Sequence, residues 1–233
     1  MNSLLSWLYS LLRKERFQID KRVPSSYLLH FLFSGLVGIL RGMILFMRIN
    51  PIAVASRGVR VIAPNRIRWI GTAKFGEYSY VDAISIEGVR AGRSFSIGRY
   101  VSIECTGSLK TLGKGLLVGN NVGIGSFSFL GCNGGIEIGD DTIVGNYVSF
   151  HSENHNFENN EIPIRSQGVN HIGIVIGKNC WIGAKVTVLD GVIIEDGCII
   201  AAGAVLKKGR YISNSIYAGV PAKFIRSRIN DIV

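Results

Sequence analysis

The first 68 residues are almost without acid, and the whole chain is poor in proline. Five prolines stand against 29 glycines in 233 residues, with 47% hydrophobic and 18% charged side chains. That glycine count suits a turn-rich β-solenoid, and the composition excludes a disordered polymer. The four cysteines (Cys105, Cys132, Cys180, Cys198) show no CxxC spacing. No disulfide framework is indicated, and a reducing cytosol is the expected compartment. No small-residue cleavage site follows a charged start, so the N-terminus does not read as a signal peptide.

The net charge of +10 is unevenly placed. Residues 1–68 hold eleven Lys or Arg against Glu15 and Asp20, and the remaining residues hold fifteen bases against fourteen acids. The surplus therefore belongs to the N-terminal region. This argues against nucleic-acid binding by the rest of the chain. It favours contact of the N-terminal part with an anionic surface.

The strongest signal runs from Ile176 to Leu206. Aliphatic residues fall at Ile176, Ile182, Val188, Ile194, Ile200 and Leu206, a period of six. A helix repeats near 3.6 and a strand near 2. Six fits a chain that makes a short strand, turns a corner and makes another, so that three sixes close a triangular coil of eighteen residues. Stacked coils pair as parallel strands about 4.8 Å apart. The first position fills the prism. The fifth is small or compact (Cys180, Val186, Val192, Cys198, Ala204) because it sits near a corner. Gly177 and Gly183 at the second position suit a corner with unusual backbone angles. Coil packing explains nearly every residue here, so chemistry is to be sought where the repeat breaks.

Residues 3–16 read as a short amphipathic helix with Leu4, Leu5, Leu8, Leu11 and Leu12 on one face. A second, very apolar helix is expected from about Ser26 to Arg48, between Pro24 and Pro51. Arg41 interrupts it, and its unbroken apolar run falls short of the roughly 20 residues of a membrane span. Ser34, Gly38 and Gly42 offer a close-packing face. Three readings follow: packing on the solenoid base or a neighbouring subunit, lying on a membrane surface, and, last, spanning. The sixes begin loosely near Arg60. A short insertion, Leu109 to Gly115, breaks them, and they slip by two residues at Ile138. The largest break lies between Phe150 and Ile176, where twenty-six residues replace six. It is polar, rich in Asn, and holds His151, His155 and His171. A solenoid that ejects such a loop is usually using it.

These residues carry a resemblance. Ile138-Gly139-Asp140-Asp141, the His loop, Ile176-Gly177-Lys178-Asn179-Cys180-Trp181-Ile182-Gly183-Ala184, Ala201-Ala202-Gly203-Ala204 and Gly219-Val220-Pro221-Ala222-Lys223 occur in that order. Over about residues 60–227 the chain resembles the hexapeptide-repeat acetyltransferases, including the galactoside and maltose O-acetyltransferases. The apolar N-terminal helix and the long loop look most like bacterial enzymes that O-acetylate surface polysaccharides. The resemblance implies a mainly β chain: a left-handed parallel β-helix over 59–212 with a His-bearing loop at 151–173. An N-terminal helical segment occupies 1–58, and a tail over 213–233 packs on the coils. It implies a homotrimer with active sites between subunits, acetyl-CoA as donor and no metal. The acceptor would be a sugar or lipid-linked glycan. The enzyme would be cytoplasmic, with peripheral membrane contact through residues 1–50, at the inner face of the membrane.

The same resemblance places the catalytic base on His155, since a sugar hydroxyl must lose its proton to attack a thioester. His151 is the alternative base. His171 reads as structural, and His30 as a polar group on the helix. The oxyanion donor would be the Ala184 backbone N–H. Trp181, Ala202 and Gly203 would line the pantetheine arm, although corner packing explains Trp181 equally. Lys207, Lys208, Lys223 and Arg226 would meet the phosphates, although surface lysines are usually only solvated. Glu153 either orients His155 or is a solvated acid. The Asn that helps hold the acceptor in galactoside enzymes falls here near Gly125. Asn133, Arg165 and Gln167, with Glu153, are the candidates to bind the acceptor instead. Competing readings are an N-acetyltransferase on an amino sugar, a γ-carbonic-anhydrase-like zinc enzyme using the three histidines, and a non-catalytic scaffold.

Overall fold

The computed structural model describes residues 19–20 and 22–228. The expected helix at 3–16 lies outside the described residues. Helix α1 spans Ser25–Phe46, close to the expected bounds. It stops where Met47 turns left-handed, with the N–H groups of Met47 and Arg48 closing back on the carbonyls of Ile44 and Met43.

The rest is a coil of short strands, β1 (Ile52–Ala55) to β25 (Lys223–Ser227). They form three long sheets that the chain visits in turn. Sheet A holds nine strands, β1 to β25. Sheet B holds seven, from β2 (Arg60–Ile62) to β22 (Val205–Leu206). Sheet C also holds seven, from β3 (Ile67–Trp69) to β23 (Gly209–Tyr211). Every neighbouring pair in the coil is parallel, and β25 alone turns back antiparallel on β24 (Ser215–Ala218). This is the left-handed parallel β-helix. Strands thus begin at Ile52, ahead of residue 59, and the parallel coil runs on to Ala218.

The regular coil has the expected length. Trp181 pairs with Ile199 and Ile182 with Ile200, eighteen residues on. The coil that ejects the His loop pairs Ile143 with Trp181, twenty residues longer. The first and fifth positions of the sixes point inward, and Ile176, Ile182, Val188, Cys180, Val186, Cys198 and Ala204 are all buried. Burial pushes the Cys132 thiol well above its usual range and Cys180 up to about 11. The two-residue slip at Ile138 is a three-residue strand (Ile136–Ile138) with both ends inward.

The second-position glycines serve a different purpose from the one expected. Gly177 and Gly183 do not have positive φ. The left-handed residue is the fourth of each six: Asn121, Phe127, Asp141, Tyr147, Asn179 and Lys185, with φ from 53 to 61°. What forbids a side chain at the second position is the next coil. A Cβ on Gly183 would stand 2.6 Å from the Ala202 nitrogen, and one on Gly139 would stand 2.6 Å from the Gly177 carbonyl carbon. The glycines let coils stack.

At the open end of the prism α1 closes the core. Gly38 and Gly42 face β1, where a Cβ on Gly38 would meet Val54 at 2.8 Å and one on Gly42 would meet Ala53. Phe46 inserts between Trp69 and Phe75, with ring centroids 4.9 and 5.0 Å away. Gly38 and Gly42 thus form the packing face, while Ser34, expected with them, is exposed and bonds back to the His30 carbonyl. The rest of the helix stays uncovered: Leu29, Phe33, Leu36, Leu40 and Ile44 are exposed. By length and composition α1 is also long and apolar enough to cross a membrane, more so than its broken apolar run indicated.

Candidate active site

Three corners join the sheets, and the sequence-predicted residues divide among them. The His loop leaves the B–C corner. It departs from β14 (Ser149–His151) and returns at β17 (Ile174–Ile176). Ser152, fully buried, fixes its root, donating to the Gly131 carbonyl at 2.7 Å and accepting the Gly134 N–H at 2.9 Å. The loop then forms a small hairpin, β15 (Asn154–His155) against β16 (Val169–Asn170), with His155 opposite Val169. His155 is exposed on this hairpin. Asn170 donates to Asn156, and Gln167 staples the tip: its amide donates to the carbonyls of Asn159 and Ile162, both at 2.7 Å, and accepts the Asn159 N–H.

His151 lies outside the loop proper. It ends β14, exposed beside the Phe129 ring. His171 is seated over Gly134, where a Cβ would approach it to 2.8 Å. The three histidines do not converge: among the described residues no three His, Cys, Asp or Glu are grouped to hold a metal.

Asn133 and Glu153 sit at the loop's root, against the insertion. The Asn133 side-chain oxygen accepts the Gly107 N–H at 2.7 Å, and a Cβ on Gly107 would stand 3.7 Å from a Glu153 carboxylate oxygen. Arg165 is exposed on the 3-10 turn Ile164–Ser166 near the tip. The proposed acceptor residues thus fall into two pairs, one at the root and one at the tip.

The A–B corner carries Ala184, Ala202 and Gly203. They stack directly, with the Gly203 N–H on the Ala184 carbonyl at 2.9 Å. All three are exposed. Their importance lies in what alanine cannot do. At several places on the prism the third residue of a six carries a side-chain oxygen that accepts the N–H of the equivalent residue one coil below. Asn146 does this for Ser126 at 2.9 Å on this same corner. Alanine has no such oxygen. The N–H groups of Asn146, Ala184 and Ala202 therefore have no protein acceptor among the described residues, and they form a short exposed track of donors. Below it, on the same edge, runs a ladder of stacked rings, Tyr78, Tyr100, Phe127 and Tyr147, with centroids 4.9 to 5.2 Å apart.

The tail is fastened beside this track. Ala222 donates to the Val205 carbonyl, Val205 donates to that of Gly219, and Lys223 and Arg226 pair along β24 opposite Ala218 and Ile216. Trp181 projects, exposed, from sheet A between Ile143 and Ile199. Lys207 and Lys208 stand elsewhere: they turn the B–C corner, where a Cβ on Gly191 would meet Lys208 at 2.9 Å. One side of the coil, six residues at about 3.3 Å each, separates the two corners. A single chain therefore presents His155 and the donor track on different edges.

Sequence reasoning passed over Asp190. It is 2% exposed, and its carboxylate accepts N–H groups of Ile172 and Gly173 at the loop's end. The signal was present: a lone acid in the apolar run from Val186 to Ile194.

The profile of the bacterial transferase hexapeptide (six repeats) matches residues 173–208. The chain is 32% identical over 132 residues, 57% of its length, to a probable acetyltransferase, Rv3034c, of Mycobacterium tuberculosis, covering 44% of that protein. It is 30% identical over 126 residues, 51% of its length, to the putative lipopolysaccharide biosynthesis O-acetyl transferase WbbJ of Escherichia coli, covering 64% of that protein. The match thus spans about half the length of these curated relatives. Among solved structures, AntD, an N-acyltransferase from Bacillus cereus in complex with dTDP and 3-hydroxybutyryl-CoA, shares the fold with a TM-score of 0.52 and 20% identity, over 78% of this chain and 81% of that one. Its period of six, its three parallel sheets and the match over residues 173–208 make this chain similar to the bacterial hexapeptide transferases in repeat and in fold.

Proposed function

We propose that this protein is an acetyl-CoA-dependent O-acetyltransferase acting on a sugar hydroxyl of a surface polysaccharide or its precursor. The observation that carries the reading is the pairing of two features: an exposed histidine on a hairpin ejected from the coil, and a track of unsatisfied backbone donors at Ala184 and Ala202. A histidine near neutral pH can take the proton of an attacking hydroxyl. The attack on the thioester carbonyl places negative charge on oxygen, which a fixed N–H stabilises. The proton taken by His155 then passes to the departing thiolate. The sugar attacks directly, so no acyl-enzyme is needed. The name of the Escherichia coli relative, an O-acetyl transferase of lipopolysaccharide biosynthesis, supports a hydroxyl acceptor over an amine.

The base and the donor track lie on different corners, so the site is completed by a second copy of the chain. The resemblance to the hexapeptide-repeat acetyltransferases favours a homotrimer for this assembly, with a site in each of its three clefts. In this reading pantetheine follows Trp181, Ala184, Ala202 and Gly203, and Lys223 and Arg226 meet the nucleotide phosphates. Lys207 and Lys208, on the other corner, reach them from the neighbouring copy. Asn133 and Glu153 at the loop root, with Arg165 at its tip, frame the acceptor, and Gln167 holds the tip in shape. The uncovered apolar side of α1, with the exposed Arg41 on the same helix, rests on the anionic inner face of the membrane. The strand β14 lies four coil steps above β2, about 19 Å at 4.8 Å per step. A glycan still attached to lipid spans that height.

Titration calorimetry with acetyl-CoA tests the donor. Saturable binding that weakens in Lys223→Ala and Arg226→Ala is expected. Absence of binding by folded, trimeric protein would overturn the reading. His155→Ala should bind acetyl-CoA normally and lose about 10²- to 10⁴-fold in kcat.

A further inference from the structure

We propose that Asp190 is the positioning residue of His155, an inference that rests on the reading of His155 as base. The hairpin that carries His155 stands clear of the coil, and its two limbs need an anchor. Ser152 holds the outgoing limb. Asp190 touches both. Its carboxylate accepts the Gly173 N–H at 2.8 Å and the Ile172 N–H at 3.0 Å, the last two amides of the returning limb. It also lies 3.5 Å from the side-chain nitrogen of Asn154, the residue before His155.

The anchor belongs to the rigid part of the molecule. Asp190 follows β19 (Thr187–Leu189), whose Val188 is fully buried and pairs with Phe150 below and Leu206 above. The next residue, Gly191, donates to the Gly173 carbonyl at 2.9 Å, so coil and loop are tied in both directions. A carboxylate this buried is costly unless its lone pairs are met. No ion pair reaches it among the described residues. The loop's own amides are what satisfy it. Removing its charge therefore loosens the hairpin and leaves the coil intact. A base displaced by about an ångström can lose up to 10²-fold in rate.

The test compares the full-length protein with Asp190→Asn, which keeps the shape and halves the acceptor capacity, and with Asn154→Ala, which leaves both backbone contacts in place. Hydrogen exchange is followed amide by amide, and acetyl transfer is measured alongside. In Asp190→Asn, exchange across 152–173 should rise while Ile182, Val188 and Ile200 stay protected. The kcat should fall about 10- to 100-fold with the KM for acetyl-CoA within about twofold, because the donor track lies on another corner. Asn154→Ala should fall between this variant and the native protein. Unchanged loop exchange, or a rise spread evenly over the coils, would overturn the proposal, as would a kcat equal to the native value. If the native protein binds no acetyl-CoA, the functional reading fails separately, and the exchange data alone decide whether Asp190 holds the loop.

Discussion

Two corners of the same prism are built from the same six-residue plan and differ in how they satisfy their amides. At the C–A corner the third residues are Arg93, Asn120, Asp140, Lys178 and Asp196. Three of these amides are met by a side-chain oxygen from the coil above: Arg93 N–H by Asn120 at 2.9 Å, Asn120 N–H by Asp140 at 2.7 Å, and Lys178 N–H by Asp196 at 2.7 Å; the Asp140 and Asp196 N–H groups have no such partner among the described residues. At the A–B corner the run Ser126, Asn146, Ala184, Ala202 makes one such rung and then stops. The backbone geometry is alike, with left-handed fourth residues on both edges. The difference lies in which coils carry a side-chain oxygen: Asn120, Asp140 and Asp196 on one edge, and Asn146 on the other. What sets the A–B corner apart is that its unmet amides at Asn146, Ala184 and Ala202 follow one another on successive coils, so together they can meet one extended ligand.

The comparison is broken most directly by supplying the missing rung. Ala202→Asn would place an amide oxygen where Asp140 stands relative to Asn120, and the Ala184 N–H would be claimed by the protein. Acetyl transfer should drop about 10²- to 10³-fold, the usual cost of losing an oxyanion donor, while Tm holds or rises. Full activity in this variant would remove Ala184 from the mechanism. The glycines sharpen the contrast by behaving alike on both edges. A Cβ on Gly125 would stand 2.6 Å from the Asn146 nitrogen, and one on Gly177 2.6 Å from the Asp196 nitrogen. Alanine at either should cost about 1–3 kcal/mol in denaturant unfolding, because stacking is common to every corner. Opening a closed rung is milder. Asp196→Ala, which frees the Lys178 N–H, should cost about 1 kcal/mol and leave kcat unchanged.

The architecture was legible because the period of six is a packing requirement repeated in every coil. Ile182 or Val188 cannot change without emptying the prism. The long break after Phe150 was legible for the converse reason, since a polar stretch cannot continue the core. The division of labour within the break was less so. Gln167 looked available to an acceptor, yet its amide is engaged by Asn159 and Ile162, neighbours close in sequence whose contacts depend on how the tip folds. Lys207 and Lys208 looked adjacent to Ala202 and Gly203 in sequence, but one side of the triangle lies between them. The second-position glycines were assigned to backbone strain, whereas the cause is a coil eighteen or more residues away. Asp190 was missed because its partners, Ile172 and Gly173, contribute only backbone. Each omission is a long-range contact that periodicity does not encode.

The smallest expected effect is a titration at the C–A corner. Asp140 accepts the Asn120 backbone N–H, faces the Lys178 ammonium at 3.7 Å and accepts from the Asn120 side chain. Chiefly through the backbone bond, these hold its carboxyl below the ordinary value of 3.8. A depressed carboxylate binds its proton more readily in the unfolded chain than in the folded one. Its contribution is thus complete above pH 3.8 and fades as the pH falls through the lower folded value. Asn at this position keeps an oxygen for the Asn120 N–H but does not titrate. Asp140→Asn should therefore flatten the acid limb of a Tm-against-pH curve below about pH 4 and leave acetyl transfer at neutral pH as it was. An acid limb identical to that of the native protein would mean the rung carries no charge dependence. The contrast between the corners would then rest on hydrogen-bond geometry alone.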